Sequence, residues 1–263
     1  MTRIEHDTRA VRHDAVAAEE PLEIRVGGRP LAVTMRTPGN DFELAAGFLL
    51  AEGLVAGADD IRSIRYCMGE AHRLGGRTQD EYNVLDVAGP EPVDPVRSFP
   101  VTSACGLCGR ATIESVRTRS RYDVAADPLT VPAAVLAGLP ARLRAAQRVF
   151  ERTGGLHAAG VFDATGDLAC VREDVGRHNA FDKVIGWATL ERRLPLRGHG
   201  ILASGRASFE LVQKAVMAGI PLLAAVSAPS SLAVDLAAEA GLTLVGFLRG
   251  ETMNVYSAPH RVG

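Results

Sequence analysis

The sequence lacks the features that mark membrane-spanning, disulfide-rich and nucleic-acid-binding proteins. No apolar run reaches the roughly 18 residues needed to cross a bilayer. Four cysteines among 263 residues are too few for a disulfide framework. The formal net charge of −2 provides no overall basic field for nucleic acid. We therefore expect a cytoplasmic protein whose partners include neither a membrane nor a nucleic acid.

Composition and local pattern divide the chain into three parts. With 47% hydrophobic and 23% charged residues, the chain can bury a substantial core. Residues 1–19 alternate charged with small residues, which predicts a flexible leader and not a signal peptide. Residues 20–127 are predicted to form a smaller α+β domain that ends in a cysteine-containing loop and a helix. Residues 128–263 are predicted to form a larger α/β domain.

The smaller domain begins with a hairpin and a helix. Two alternating apolar runs within 22–37 are joined by Gly27-Gly28, a two-residue turn signal. A helix is predicted to follow, with Asn40 or Asp41 as its N-cap. Two further strands are predicted at 61–67 and 81–88.

The larger domain alternates strands and helices. Its first helix is predicted to have Thr130 as N-cap, and Pro140 is expected to kink or split it. A hairpin over 156–173 follows, and Asp174 is the predicted N-cap of the next helix. Three apolar strands then alternate with two helices, which favours a buried and largely parallel sheet. The predicted fold class is therefore α/β, with a three-layer α/β/α arrangement that resembles the cytidine-deaminase-like fold.

The carboxyl ends of these strands form the predicted ligand edge. In sheets of this kind, ligands bind beyond those ends, near helix N-termini that attract anions. The segments that follow the strands are 204–206, 227–231 and 249–252. Arg206 and Arg249 are suited to pairing with phosphate. Ordinary strand-to-helix turns with good caps would give a similar pattern, and both interpretations stay open at this point.

Cys105 and Cys108 are the residues most suited to chemistry. A structural zinc site needs four ligands, and this is the only such pair, with Cys67 and Cys170 isolated in predicted strands. A deaminase is excluded, because its H-x-E and P-C-x-x-C motifs are missing from the ligand edge. Glycines around the pair and Arg110 after it favour an accessible thiolate, the form that accepts sulfur or exchanges disulfides. On these residues alone, zinc binding, redox cycling and sulfur transfer all stay open.

Three motifs, in this order, resemble the FdhD family of formate dehydrogenase accessory proteins. They are SACGLCG from residue 103, REDVGRHNAFDKVIG from residue 172 and, from residue 204, SGRASFELVQKAVMAG continuing to FLRGETMNVYS. The resemblance implies a sulfurtransferase that takes sulfur from a cysteine desulfurase as a cysteine persulfide. It further implies transfer to the molybdenum or tungsten of bis(molybdopterin guanine dinucleotide), Mo-bisMGD, before that cofactor enters formate dehydrogenase. The resemblance also implies a homodimer.

Individual residues acquire roles from the resemblance and from the ligand edge. Cys105 would carry the persulfide, and Cys108 would assist it. The stretch that the family assigns to the cofactor matches six consecutive residues: Phe247, Leu248, Arg249, Gly250, Glu251 and Thr252. Arg177 and His178, at the start of a helix, are expected to line the same cleft of the larger domain, together with Arg206. No resident metal is expected.

Simpler interpretations accompany these roles. Arg177 and His178 could pair along their own helix without touching a ligand. Asp182 and Lys183 are predicted to pair on the outer face of that helix, and His157 is predicted to be structural. Two rival functions stay open: a carrier that binds the pterin cofactor without covalent sulfur chemistry, and a structural module clamped by zinc.

Overall fold

The computed structural model describes residues 1–6, 8–67, 82–89 and 120–263, together with the backbone of two short strands at 73–74 and 77–78. Within these residues the chain has a mixed α/β fold. Its helices are α1 (Asp41–Ala51), α2 (Ala133–Ala146), α3 (Arg148–Thr153), α4 (Arg177–Leu190), α5 (Phe209–Met217) and α6 (Ser231–Ala240). Its strands are β1 (Thr2–Glu5), β2 (Thr8–Val11), β3 (Glu20–Val26), β4 (Arg29–Arg36), β5 (Ser63–Tyr66), β6 (Arg73–Leu74), β7 (Arg77–Thr78), β8 (Val84–Ala88), β9 (His157–Phe162), β10 (Leu168–Asp174), β11 (Gly200–Ala203), β12 (Leu222–Ala225), β13 (Thr243–Arg249) and β14 (Thr252–Ser257). None of these helices is long and apolar enough to cross a membrane.

The first sheet has the strand order β4-β3-β8-β5. Its β3–β4 hairpin turns at Gly27 and Gly28, whose φ angles of 57° and 80° suit glycine, and the predicted turn is confirmed. Alternate residues of β3, such as Leu22 and Ile24, are buried in the core to which α1 contributes. The predicted helix is confirmed as α1, although the Asn40 side chain that precedes it makes no capping hydrogen bond.

The second sheet has the strand order β10-β9-β11-β12-β13-β14. The strands β11, β12 and β13 are parallel to one another, whereas β9, β10 and β14 pair antiparallel. The prediction of a largely parallel sheet is right only for its centre, because hairpins form both flanks. Phe162 and Leu202 pack with α2 on one face, and Val161 and Ile201 pack with α4, α5 and α6 on the other. These helices on both faces give the three predicted layers.

The first helix of the larger domain differs from its prediction at two points. It begins after Pro132 and not at Thr130, because a proline suits the start of a helix, where its missing N–H costs no hydrogen bond. The helix also continues through Pro140, and the break between α2 and α3 comes at Gln147. Burial of one face against the sheet holds α2 together across the proline; the buried residues are Leu136, Leu139 and Leu143.

Buried charges at the start of α4 also differ from prediction. Asp174 ends β10 and accepts a hydrogen bond from Gly176 N–H at 2.9 Å, so it is not the N-cap of α4. Lys183 Nζ lies 2.7 Å from the Asp174 carboxylate, and both side chains are buried. Asp182 is buried as well, 2.6 Å from Lys214 Nζ. The prediction that Asp182 and Lys183 form ion pairs on the outer face of the helix is therefore wrong, because each has a partner in the interior.

The two sheets share one hydrophobic core, with α1 and α4 packed against each other inside it. Leu22 and Leu85 contribute to it from the first sheet, and Val161 and Leu244 from the second. Since residues from both predicted domains enter this core, the division of the chain at residue 128 stays a prediction. The flexible leader also stays a prediction; within it, β1 and β2 pair as an exposed hairpin.

Candidate functional site

The carboxyl ends of the three parallel strands meet at one edge, and hydrogen bonds join the loops that follow them. Ser227 N–H donates to Gly205 O at 3.2 Å, and Ala207 N–H donates to Ala228 O at 3.2 Å. On the other side, Phe247 N–H donates to Ser227 O at 3.2 Å. The loops after β11 and β12 and the end of β13 therefore lie side by side and form one continuous surface, the ligand edge.

Arg177, the first residue of α4, adjoins the ligand edge. Burial and then the neighbouring positive charge of Arg206 lower the pKa of Arg177. Within the described residues, neither guanidinium has a carboxylate at ion-pair distance, and Arg177 Nε is buried without a hydrogen-bond partner. The negative charge of Glu210 acts on Arg177 in the opposite direction, as the smallest of the three effects. Two neighbouring cations that repel each other favour the binding of an anion between them.

His178 joins the start of α4 to the start of α5. Its Nε2 lies 2.7 Å from Glu210 Oε2 and 3.1 Å from Ser208 Oγ. Ser208 precedes α5, but its side chain does not cap that helix. The hydrogen bond from His178 holds the pKa of Glu210 below its usual range. This contact fixes the two helix starts next to Arg177 and Arg206.

The segment 247–252 forms the tip of the β13–β14 hairpin, where Gly250 turns the chain with a φ of 53°. Leu248 is buried in the core, so its side chain does not face the ligand edge. Arg249 is exposed, and its Nε donates to Val226 O at 3.1 Å, which ties the tip to the loop after β12. The remaining residues of the tip are exposed: Phe247, Gly250, Glu251 and Thr252.

The predicted sulfur-carrying pair, Cys105 and Cys108, lies outside the described residues. Cys67 and Cys170 are free thiols. Burial raises the pKa of Cys170 to about 12, which keeps it protonated and unreactive. In the part of the chain that the structure describes, no group of three or more histidine, cysteine or acidic residues could hold a metal.

Ser120 and Gly89 are the described residues that flank the segment containing Cys105 and Cys108. They lie near the C-terminal end of α5, away from the ligand edge. Ser120 Oγ donates to Val216 O at 3.2 Å, in the last turn of that helix. Gly89, on the other flank, lies against Asp60, which borders a cavity together with Met217, the last residue of α5. The nine residues of α5 span about 14 Å, and the ligand edge adjoins its opposite end. That cavity is therefore separate from the ligand edge.

Glu210 was not predicted from the sequence, and His157 was predicted to be structural. Because β9 is antiparallel to β11, the first residue of β9 lies at the same edge as the last residue of β11. His157 Nδ1 is 3.5 Å from Ser204 Oγ at that edge. Burial lowers the pKa of His157, and the charges of Arg177 and His178 lower it further. The position of His157 could have been predicted from the hairpin over 156–173, because the antiparallel pairing of its first strand brings His157 to the ligand edge.

Comparisons with known proteins cover nearly the whole chain. The sequence model of the FdhD/NarQ family matches residues 17–263 of this chain. A sulfur carrier protein FdhD from Mycolicibacterium paratuberculosis is 59% identical over 257 residues, which are 96% of this chain and 93% of the relative. Another from Nocardia farcinica is 61% identical over 253 residues, which are 95% of this chain and 89% of the relative. The crystal structure of a proposed formate dehydrogenase accessory protein from Desulfotalea psychrophila matches with a TM-score of 0.77 and 26% identity, and covers 100% of this chain and 97% of that one.

Proposed function

The chain belongs to the FdhD/NarQ family, and from this membership we propose that it is a sulfur carrier for the maturation of formate dehydrogenase. The observation that carries the proposal is the 59% and 61% identity to two sulfur carrier proteins FdhD over nearly the whole chain. The cysteine pair Cys105 and Cys108 supplies the thiols that such a carrier needs. In this proposal a cysteine desulfurase donates the sulfur, and Mo-bisMGD accepts it before insertion into formate dehydrogenase.

Cys105 is the proposed sulfur acceptor. Its thiolate attacks the outer sulfur of the persulfide on the desulfurase. A sulfur–sulfur bond forms on Cys105 while the one in the donor breaks, and the donor cysteine leaves as a thiolate. Cys105 then holds the sulfur as a persulfide, and the proton stays on the terminal sulfur.

Cys108 is the proposed releasing group. Its thiolate attacks the inner sulfur of the Cys105 persulfide, forms a disulfide with Cys105 and displaces hydrosulfide. The two electrons that convert the transferred sulfur to sulfide come from the cysteine pair, and a cellular dithiol reduces the disulfide afterwards. With one further proton from water, the hydrosulfide replaces an oxo ligand of the metal substrate, which leaves as water.

The ligand edge is the proposed binding surface for Mo-bisMGD. The neighbouring guanidiniums of Arg177 and Arg206, which have no ion pair among the described residues, support this assignment, because the guanine dinucleotides carry several phosphates. His178 holds the neighbouring helix starts in place, and the exposed tip 247–252 borders the same surface. Among the six residues of the tip, buried Leu248 contributes backbone and packing only.

The sulfur must travel from the cysteine pair to the ligand edge. The flanking residue Ser120 lies at the far end of α5, about 14 Å along that helix from the ligand edge. We propose that the sulfur either crosses this distance within one chain or reaches the ligand edge of the second copy in the proposed homodimer. We propose that the transfer takes place in the cytoplasm.

The experiment that tests the proposal uses Cys105→Ala, with Cys67→Ala as the matched control. Cells that lack the wild-type protein should produce active formate dehydrogenase with Cys67→Ala and none with Cys105→Ala. Peptide mass spectrometry after incubation with a cysteine desulfurase and cysteine should show added sulfur on Cys105. Active formate dehydrogenase with Cys105→Ala would refute the proposal. Cofactor binding without sulfur on Cys105 would favour a non-covalent carrier.

A further inference from the structure

At the ligand edge, the absence of a side chain on Gly205 leaves a gap of about the size of a methyl group, and we call this gap the space beside Gly205. A Cβ on Gly205 would lie 3.4 Å from His157 Nδ1 and 3.8 Å from Arg177 Cδ. Both distances are ordinary van der Waals contacts, so a methyl group would fit there and fill the space. Because Gly205 has no side chain, an oxygen atom of a bound ligand can approach the backbone between His157 and Arg177.

Several hydrogen-bond donors around this space have no acceptor. In the described part of the chain, the N–H groups of Gly205 and Arg206 donate to no protein atom. Arg177 Nε is also buried without a partner. Successive free backbone N–H groups beside guanidiniums form an anion-binding concavity of the kind that holds phosphate.

His157 forms one wall of the same space. The groups that face it are Arg177 and His178 of α4, Asp174 of β10 and Ser204 of the loop after β11. Burial and the charges of Arg177 and His178 disfavour the protonated form of His157, and the charge of Asp174 opposes them only in part. An anion bound between His157 and Arg177 would offset both cations and favour protonation.

We infer that His157 is a further residue of the cofactor site, which holds one phosphate group together with Arg177 and the Gly205–Arg206 backbone, and which gains a proton from solvent as that phosphate binds. The inference rests on the proposed function for the nature of the ligand, a phosphate of an organic diphosphate. It assigns His157 a binding role where sequence reasoning predicted a structural one.

The first test follows the His157 imidazole by NMR during a pH titration, without and with saturating inorganic sulfate. Sulfate is the probe because its charge does not change while histidines titrate. The pKa of His157 should rise when sulfate is bound, and His157→Asn identifies its resonance. Sulfate affinity should fall up to tenfold per pH unit as His157 loses its proton, and His157→Asn should flatten this dependence. An unchanged pKa, or no saturable binding of sulfate, would overturn the inference.

The second test fills the space with Gly205→Ala and uses Gly138→Ala as the control. Gly138 lies within α2, and an added Cβ there would have no atom within 4 Å. Both variants should keep the wild-type melting temperature to within a few degrees. Gly205→Ala should bind sulfate and inorganic pyrophosphate at least tenfold more weakly, whereas Gly138→Ala should match the wild type. Equal affinity in the two variants would contradict the inference.

These measurements separate the inference from the proposed function, since neither uses the cysteines. A protein with Cys105→Ala should show the same sulfate response at His157 as the wild type. If His157 responds but Cys105 accepts no sulfur, the proposed function fails alone. If Cys105 carries sulfur while His157 does not respond to bound sulfate, the inference fails alone.

Discussion

Gly47 in α1 and Gly186 in α4 face each other where the two helices cross. A Cβ on Gly47 would fall on the carbonyl group of Asp182, and a Cβ on Gly186 would fall on the carbonyl group of Glu43. The two backbones therefore touch directly, without side chains between them. This contact lies inside the core shared by the two sheets, so it fixes the first sheet against the helix that begins with Arg177.

Gly186→Ala should destabilise the protein strongly, because the added methyl group overlaps rigid backbone atoms of α1. We expect a loss of about 3 kcal/mol in the free energy of unfolding, measured by urea denaturation. Gly138→Ala is the matched control, since its methyl group meets no atom and the helix gains about 0.5–1 kcal/mol from losing a glycine. Equal stabilities of the two variants would show that the helices are farther apart than described.

Arg261→Lys should also reduce stability. The Arg261 side chain is fully buried and donates to the carbonyl groups of Val124, Ala125 and Gly241 at 2.7 to 3.0 Å. A lysine cannot present the planar set of donors that reaches all of these acceptors, which leaves buried carbonyls without partners. We expect a loss of about 3 kcal/mol in thermal or urea denaturation. Arg192→Lys, at an exposed position, serves as the control. If Arg261→Lys lost no more stability than Arg192→Lys, the role of Arg261 would be contradicted.

Local signals in the sequence were sufficient to predict most of the fold. Gly27-Gly28 marks a hairpin because the turn needs positive φ at both positions. Regular alternation of apolar strands and helices likewise predicted the centre of the second sheet. The continuity of α2 through Pro140 and the burial of Lys183 could not be predicted, since both depend on contacts with other elements. Strand β14 was not predicted, although its partly buried Met253 and Val255 alternate with exposed residues.

The ligand edge could be predicted in part. Arg206 follows β11 and Arg249 ends β13, and the geometry of parallel sheets places the carboxyl ends of such strands together. Glu210 could not be found in this way, because its role comes from a contact between two helices. The burial of Leu248 within an otherwise exposed tip was not predicted, although it fits the alternation of exposed and buried residues at the end of β13.

Cys170 should be inert towards alkylation in the folded protein. Burial raises its pKa to about 12, so almost no thiolate forms near neutral pH. Native protein treated with iodoacetamide should carry label on other cysteines but not on Cys170, as shown by peptide mass spectrometry. Urea should expose Cys170 and restore labelling, which provides the control within the same chain. Rapid labelling of Cys170 under native conditions would contradict its burial.

The contact between His178 and Glu210 should make stability depend on pH. Because the pKa of Glu210 is lowered in the folded state, the contact stabilises the fold fully above the ordinary pKa of a free glutamate. That contribution is lost as the pH falls through the lowered pKa.

The variant His178→Gln should therefore be less stable than the wild type near neutral pH and should approach it in acid. Since the Glu210 side chain is 43% exposed, we expect a difference within about 1 kcal/mol. Urea denaturation of both proteins across the acidic range measures this difference, with Arg192→Gln as a control for an exposed ion pair. In the same series, NMR of the Glu210 carboxyl group should show a higher pKa in His178→Gln than in the wild type. A stability difference that stays constant with pH would show that His178 does not lower the pKa of Glu210.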